Sequence, residues 1–252
     1  MKRAGNLLER ITERENLRLA FYRAMAGKRD RADVREFAAH LDGNLQRVAD
    51  RLTRSGKASI LRSASGAFFG YTQFTIHDPK ERLITAPSFA DRVLHHAVLN
   101  VCEPVFERYL IDDTFACRRG KGRVAALQRA VHFSAQNAVA LKFDIRKYFD
   151  SISHEVLLTR LERRFKDRRL LDLFRQIVGG YHTRAGCGLP IGALTSQHFA
   201  NLQQELAGEP EPESGLPPCP QLRRRSGCSA RRNRPLSRAA ARGRNTPRAV
   251  LC

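Results

Sequence analysis

The sequence has no apolar run long enough to span a lipid bilayer, and its N-terminus lacks the apolar core of a secretory signal peptide. Its six cysteines form no C-x-x-C pair and no histidine–cysteine cluster at the spacing of a zinc site. A membrane span, a zinc site and a disulfide framework are therefore not expected. The cysteines are interpreted as reduced, mostly buried thiols in a cytoplasmic protein.

Negative charge is also scarce. Asp and Glu number 25 against 45 Lys and Arg, which gives a net charge of +20. This balance favours a polyanionic partner, most simply nucleic acid, over a merely soluble basic surface. A basic chain can also bind an acidic membrane, but without a long apolar run we expect no membrane partner. The length of 252 residues suits one large domain or two small ones.

The N-terminal third carries helical patterns. Residues 5–26 suit an amphipathic helix, and residues 31–54 place apolar side chains at steps of three and four. The basic loop between these helices, residues 27–31, is either a solvated turn or a phosphate contact.

Strand patterns follow. The aromatic residues and Ile from 67 to 76 predict one strand, residues 78–82 a turn, and residues 83–85 a second strand. The simplest arrangement is a two-stranded ribbon with a basic tip. A helix is then predicted from Pro87 to about Leu110. Its predicted buried face consists of Val93, Leu94, Ala97, Val98, Val101 and Val105. The adjacent His95 and His96 are interpreted as core or groove histidines rather than metal ligands.

A Gly-rich basic loop at residues 115–122 precedes a predicted helix at 124–133. Its glycines let backbone amides approach an anion, although the spacing is not that of a Walker loop. Two more helices are predicted at about 153–165 and 167–180. A Gly- and Pro-containing loop then leads into a helix at 198–202.

A short apolar run, residues 138–143, ends at Asp144, and the aromatic Phe149 follows five residues later. A strand that ends in Asp can hold a divalent cation, because carboxylate oxygens suit magnesium. An aromatic side chain at this offset can form one wall of a nucleotide pocket. Many strands, however, end in an Asp that caps a helix or lies in a turn. Both the metal-binding interpretation and this structural one therefore stay open.

In this order, the motifs resemble those of the reverse transcriptases of group II introns, retrons and diversity-generating retroelements. The resemblance covers residues 15–202 and is carried by Asp78-Pro-Lys-Glu-Arg82, Asp91-Arg-Val-Leu-His-His96, Phe115-x-Cys-Arg-x-Gly-Lys-Gly122, Leu141-Lys-Phe-Asp-Ile-Arg-Lys-Tyr-Phe149 and Gly188-Leu-Pro-Ile-Gly192 with Ser196-Gln197. It implies an α+β right-hand polymerase fold that is helix-rich with a small antiparallel sheet. The N-terminal helices and fingers would occupy residues 1–136, and an incomplete palm residues 137–202.

The resemblance also implies a role for each site residue. Asp144 would be catalytic and a magnesium ligand, helped by the backbone carbonyl of Ile145. The implied nucleotide-binding residues are Lys80 and Arg82 on the triphosphate, Phe149 under the sugar, and Pro190, Gly192 and Gln197 beside the nucleotide and template. The implied nucleic-acid contacts are Arg92, Arg118 and Lys121. The reaction would be two-metal transfer of dNTPs onto a DNA primer along an RNA template, and no protein partner is implied.

The resemblance stops after about residue 202. Such enzymes carry further carboxylates in a Tyr-x-Asp-Asp hairpin and then a thumb, whereas here no Asp follows Asp172 and no Tyr follows Tyr181. One strand carboxylate cannot hold two magnesium ions, because each ion needs several oxygen ligands. Asp150 is predicted to lie beyond the strand end and cannot substitute.

Residues 203–252 are dominated by Arg and Pro and show no helical or strand period, which predicts disorder. A frameshift in a GC-rich gene would produce this composition; a genuine basic tail on a truncated domain is the alternative. Two functions therefore stay open. One is a reverse-transcriptase fragment with little or no polymerase activity, and the other is a non-catalytic nucleic-acid-binding remnant.

Overall fold

The computed structural model describes residues 3–54, 70–77, 81–139 and 144–205. These residues form two compact units. The first comprises the described residues up to Leu110 and those from Lys147 onward, and the second comprises those between Ile111 and Arg146. The predicted disordered tail lies outside the described residues.

Helices dominate both units. In chain order the elements are α1 (Leu8–Thr12), α2 (Arg14–Met25), α3 (Ala32–Ala39), α4 (Leu41–Arg54), β1 (Tyr71–His77), β2 (Glu81–Pro87), α5 (Phe89–Glu107), α6 (Arg123–Gln136), α7 (Tyr148–Ser151), α8 (His154–Arg164), α9 (Arg168–Gly179) and α10 (Leu194–Glu205). Of these, α6 belongs to the second unit and the others to the first. None of the described helices is long and apolar enough to cross a membrane.

The two strands form an antiparallel hairpin, with Tyr71 opposite Pro87 and His77 opposite Glu81. The predicted two-stranded ribbon is thus confirmed, as is the helix-rich α+β character with a small antiparallel sheet. The assignment of the parts to fingers and palm, and the predicted boundary at residue 136, stay predictions.

Helix α5 is the centre of the first unit, and every side chain of its predicted inner face is buried. The hydroxyl of Ser88 begins the helix by accepting a hydrogen bond from the amide of Asp91 at 3.2 Å. At the other end, Phe106 joins an aromatic cluster that draws together α5, α9, α10 and the residue after α8. Successive ring centroids are 5.4 Å apart for Phe106–Phe165, 5.2 Å for Phe165–Phe174 and 5.5 Å for Phe174–Phe199.

The predicted helix at 5–26 is wrong at one point, because the chain becomes extended at Glu13 and divides it into α1 and α2. The break leaves the carbonyl of Ile11 without its helical partner. The side-chain amide of Asn16 compensates by donating to that carbonyl at 2.8 Å and to the carbonyl of Ala97 in α5 at 3.0 Å. The predicted helix at 31–54 divides in the same way at His40.

Asp167 links the N-terminal segment to α9 through backbone amides. One carboxylate oxygen accepts from the amides of Leu7 and Leu8, both at 3.1 Å, and the other accepts from the amide of Leu170 at 3.3 Å. A single carboxylate therefore caps α9 and holds the start of α1 against it.

The cysteines were predicted to be mostly buried, and this holds for only one of the three in the described residues. Cys102 is buried, Cys187 is partly buried and Cys117 is exposed. Burial raises the pKa of the Cys102 thiol, so it stays protonated in the core. Cys219, Cys228 and Cys252 lie outside the described residues.

A buried ion pair joins α4 to α5. A guanidinium nitrogen of Arg51 lies 2.7 Å from one carboxylate oxygen of Asp91, whose side chain is 3% exposed. The other oxygen of Asp91 accepts from the hydroxyl of Ser88 at 2.6 Å and from the amide of Gly70 at 3.0 Å. Asp91 thus ties together α4, the start of the hairpin and the start of α5.

Replacing Asp91 by Asn should destabilise the protein by about 3 kcal/mol, because it removes the negative charge that pairs with the largely buried Arg51. The measurement is urea unfolding of both proteins. Asp33→Asn is the matched control, since its pair with Arg31 is largely exposed and should contribute no more than about 1 kcal/mol. Equal losses in the two variants would contradict a special role for Asp91.

Candidate nucleotide and nucleic-acid site

The hairpin presents Arg82, one of the two predicted triphosphate-binding residues. Arg82 lies on β2 opposite Ile76 of β1 and is exposed. Because side chains alternate along a strand, Arg82 and Ile84 share one face of the hairpin. The other predicted residue, Lys80, lies outside the described residues.

The predicted Pro190–Gly192 loop packs directly on β2. The carbonyl of Ile191 accepts a hydrogen bond from the amide of Thr85 at 2.7 Å. Gly192 has φ +129°, and a Cβ placed there would lie 2.9 Å from both the side chain of Ile84 and the carbonyl of Thr85. Only glycine allows this backbone approach without strain. The structure therefore brings the loop against the strand that carries Arg82.

Phe149 reaches the same loop through its backbone. It lies in the short helix α7, and its carbonyl accepts from the amide of Leu189 at 3.0 Å. Its ring is partly buried and packs edge-on against Tyr148, with 5.9 Å between the ring centroids. The predicted sugar-facing residue and the predicted nucleotide-positioning loop are thus neighbours in the first unit.

Helix α10 follows the loop and carries Gln197. The side-chain amide of Gln197 donates to the side-chain oxygen of Asn201 at 3.2 Å. The hydroxyl of Tyr148 donates to the carbonyl of Ala200 at 2.8 Å, which joins α7 to α10. Burial raises the pKa of Tyr148, so this hydroxyl keeps its proton at neutral pH. Gln197 is thereby held on a helix anchored to both the loop and Phe149.

His95 and Thr195 form a buried contact between α5 and α10. The Nδ1 atom of His95 lies 2.7 Å from the hydroxyl of Thr195, and neither residue is accessible to solvent. Burial lowers the pKa of His95 to about 4, so the ring is neutral at pH 7. The interpretation of His95 as a core histidine is confirmed. Sequence patterns gave no signal for Thr195, because its partner is 100 residues away.

Arg92, predicted to contact nucleic acid, lies within a crowded group of positive charges. Burial lowers the pKa of Arg92, and the charge of nearby Arg31 lowers it further. The pKa of Lys28 is likewise lowered by burial and then by Arg92 and Arg31. Arg31 pairs with the carboxylate of Asp33 at 2.9 Å. The charge of the same carboxylate raises the pKa of Arg92 and so partly offsets the neighbouring positive charges.

His96 lies next to this basic group. Burial lowers the pKa of His96 to about 4, and the charges of Arg23, Arg92 and Lys28 lower it further. A neutral ring at this position avoids adding a fourth positive charge. The interpretation of His96 as a groove histidine agrees with its half-buried position.

The second unit carries the other two predicted nucleic-acid contacts, Arg118 and Lys121. The guanidinium of Arg118 donates to the carbonyls of Ile111 at 2.6 Å and Thr114 at 3.0 Å, and the ammonium of Lys121 donates to the carbonyl of Asp112 at 2.7 Å. Both side chains therefore form hydrogen bonds within the loop that carries them. Their predicted role in nucleic-acid binding stays a prediction.

Asp144 and Ile145 are exposed and belong to the second unit. Residues 138–139, at the start of the predicted strand, are not in a strand, and the rest of it, residues 140–143, lies outside the described residues. Within the described ranges, no group of three His, Cys, Asp or Glu side chains could hold a metal ion. The donor set present there does not fit a two-ion magnesium site, since each ion needs several oxygen ligands.

The curated relatives of this chain include several intron proteins. It is 24% identical over 162 residues to nuclear intron maturase 4 of Arabidopsis thaliana, and 22% identical over 123 residues to the putative COX1/OXI3 intron 1 protein of Saccharomyces cerevisiae. These matches cover 61% and 46% of the chain but only 20% and 15% of the relatives. Protein YkfC of Escherichia coli is 24% identical over 134 residues, which are 49% of the chain and 35% of that protein.

A solved Cas6-RT-Cas1–Cas2 complex contains a chain that aligns with 80% of this one at 19% identity and a TM-score of 0.48, over 34% of its own length. No protein-family model matches. The hairpin, the loop and α7 are thus in contact within the first unit. The intron relatives agree with the resemblance to intron-type reverse transcriptases that the sequence motifs carry, and this chain spans about a fifth of their length.

Gly192→Ala should destabilise the protein by about 1–3 kcal/mol, because the new Cβ would strain a left-handed backbone and collide with β2. Gly43→Ala is the matched control. Gly43 lies in α4 with open space around it, so alanine there should stabilise by about 0.5–1 kcal/mol. Urea unfolding of both variants measures the difference. A Gly192→Ala protein as stable as the parent would show that the loop does not depend on this contact.

Stability should fall as the pH drops from about 6.5 to 4. The pKa of His95 is lower in the folded state than in the unfolded chain. As the pH falls below about 6.5, the unfolded chain therefore binds the proton first, and this lowers the free energy of the unfolded state relative to the folded state. The loss from His95 alone should approach about 3 kcal/mol near pH 4. The charge of Asp91 raises the pKa of His95 and so opposes this loss, whereas the charges of His96, Arg51 and Arg92 lower that pKa.

Urea unfolding at pH 7.5, 6 and 5 tests the effect. His95→Asn keeps a hydrogen-bonding group near Thr195 but cannot titrate, so its stability should depend less steeply on pH. An unchanged slope in this variant would show that the acid sensitivity arises elsewhere.

Proposed function

We propose that this chain is a reverse-transcriptase-like protein that binds RNA but does not by itself extend a primer. The observation that carries the proposal is a difference between the nucleotide-facing half and the metal-facing half of the implied site. The residues implied to face the nucleotide and template meet in the first unit, whereas Asp144 has too few acidic neighbours among the described residues for a magnesium site.

The nucleotide side is supported by backbone contacts. Arg82 shares a face of the hairpin with Ile84, which touches Gly192, and the loop bonds to the carbonyl of Phe149. In the proposed function Arg82, with Lys80, binds the triphosphate of a dNTP. Phe149 lies under the sugar and disfavours a 2′-hydroxyl, and Pro190, Gly192 and Gln197 position the base pair.

The RNA side is supported by the charge around Arg92. Like charges held together and partly removed from water raise the free energy of the unbound protein. A phosphate of the RNA backbone would lower it by pairing with Arg92, Lys28 and Arg31. The loop at 27–31 is accordingly proposed to contact phosphate rather than to serve only as a solvated turn. Such contacts do not depend on base sequence.

For the metal side, the proposal is supported by the lack of a suitable group of acidic side chains among the described residues. Two ions require several oxygen ligands each, and no Asp follows Asp172 in this sequence. Asp150 lies in α7, with its backbone carbonyl accepting from Thr183. We therefore propose no catalytic step through magnesium for this polypeptide. The frameshift stays a prediction, tested by a one- or two-base change near codon 202 that would restore a Tyr-x-Asp-Asp reading.

Filter retention measures binding to a single-stranded RNA at salt concentrations from about 50 to about 300 mM. The affinity should fall steeply as the salt concentration rises, because phosphate contacts release counterions. A flat response or no binding would contradict RNA binding by the basic surface.

Primer extension on an RNA template with dNTPs and magnesium should give no product above background. An intact reverse transcriptase serves as the positive control, and Asp144→Ala as the matched variant. Extension that disappears in Asp144→Ala would overturn the proposal that the metal site is incomplete.

A further inference from the structure

A surface cavity of about 410 Å³ lies in the first unit, away from the hairpin and the Pro190–Gly192 loop. Its lining is mostly charged and comes from the N-terminal segment, the end of α8 and the first half of α9. The lining residues are Arg3, Glu162, Lys166, Arg168, Leu171, Asp172 and Arg175.

Backbone hydrogen bonds hold the two rims of this cavity together. The amide of Ala4 donates to the carbonyl of Arg164 at 2.9 Å, and the amide of Lys166 donates to the carbonyl of Ala4 at 2.7 Å. The side chain of Lys166 lies so close to Gly5 that a Cβ there would be 2.4 Å from its Cε. Together with the Asp167 caps, these contacts fix Arg3 and Lys166 on facing rims.

The two carboxylates of the cavity share one arginine, which offsets half of their negative charge. Arg175 pairs with Glu162 and with Asp172, each at 2.5 Å. No carboxylate in the described part of the chain pairs with Arg3, Lys166 or Arg168. The described lining side chains comprise four cations and two carboxylates, so the cavity carries a net charge of +2.

We propose that this cavity binds phosphate groups of an RNA backbone, as a second contact separate from the residues implied to bind template and nucleotide. The inference rests on the proposed RNA binding and adds a location to it. Among the described residues that line the cavity, Leu171 is the one apolar residue, and none is an aromatic on which a base could stack. The contact is therefore with phosphate and sugar, and it does not read sequence.

The test compares salt dependence of RNA binding in the full chain. Lys166→Gln with Arg168→Gln should make the slope of log affinity against log salt shallower by about 1 to 2, because two phosphate contacts are lost. Arg163→Gln with Arg169→Gln removes the same charge from exposed positions of α8 and α9 and should leave the slope nearly unchanged. The charge-preserving pair Lys166→Arg with Arg168→Lys should behave like the parent.

Thermal unfolding checks that each variant is folded. If the glutamine pair does not fold, Arg3→Gln alone replaces it, because Arg3 is exposed and precedes the first helix; its slope should be shallower by about 1. Two RNAs of equal length and different sequence should show the same change.

Equal slopes for the cavity pair and the control pair would overturn the inference, even if inorganic phosphate bound in the cavity. Failure of the parent chain to bind RNA would instead overturn the proposed function, so the two results are distinguishable.

Discussion

The arrangement of the site depends on the close approach of the Pro190–Gly192 loop to strand β2. One backbone hydrogen bond, from Thr85 to Ile191, and the absence of a side chain at Gly192 make this approach possible. This contact joins the strand that carries Arg82 directly to the loop that precedes Gln197. The contact uses backbone atoms on both sides, so it does not require a metal ion or a bound nucleotide.

The two halves of the implied polymerase site therefore have different physical requirements. The nucleotide-facing half is held by hydrogen bonds and apolar packing within the first unit, with the buried Asp91–Arg51 pair and the His95–Thr195 contact behind it. The metal-facing half needs several carboxylates around the ions. The mutual repulsion of these carboxylates must be offset by the positive charge of the bound ions. A chain can keep the first half and its basic surface while lacking the second, which is the combination proposed here.

Local sequence patterns predicted the elements but not the contacts between distant residues. The inner face of α5 and the hairpin could be predicted, because both depend on side-chain periodicity over short spans. The break at Glu13 could not, since Asn16 compensates for it through Ala97 in α5, 81 residues away. For the same reason Thr195 and the Arg3–Lys166 cavity had no sequence signal. The strand expected before Asp144 stays a prediction, because residues 140–143 lie outside the described residues.

The central claim is that this polypeptide lacks the carboxylates for two catalytic ions. Manganese takes the same oxygen ligands as magnesium and reports its surroundings by electron paramagnetic resonance. A manganese titration of the full chain should show only weak binding that is the same in Asp144→Asn. Two tightly bound, spin-coupled ions per chain, both lost in Asp144→Asn, would contradict the account.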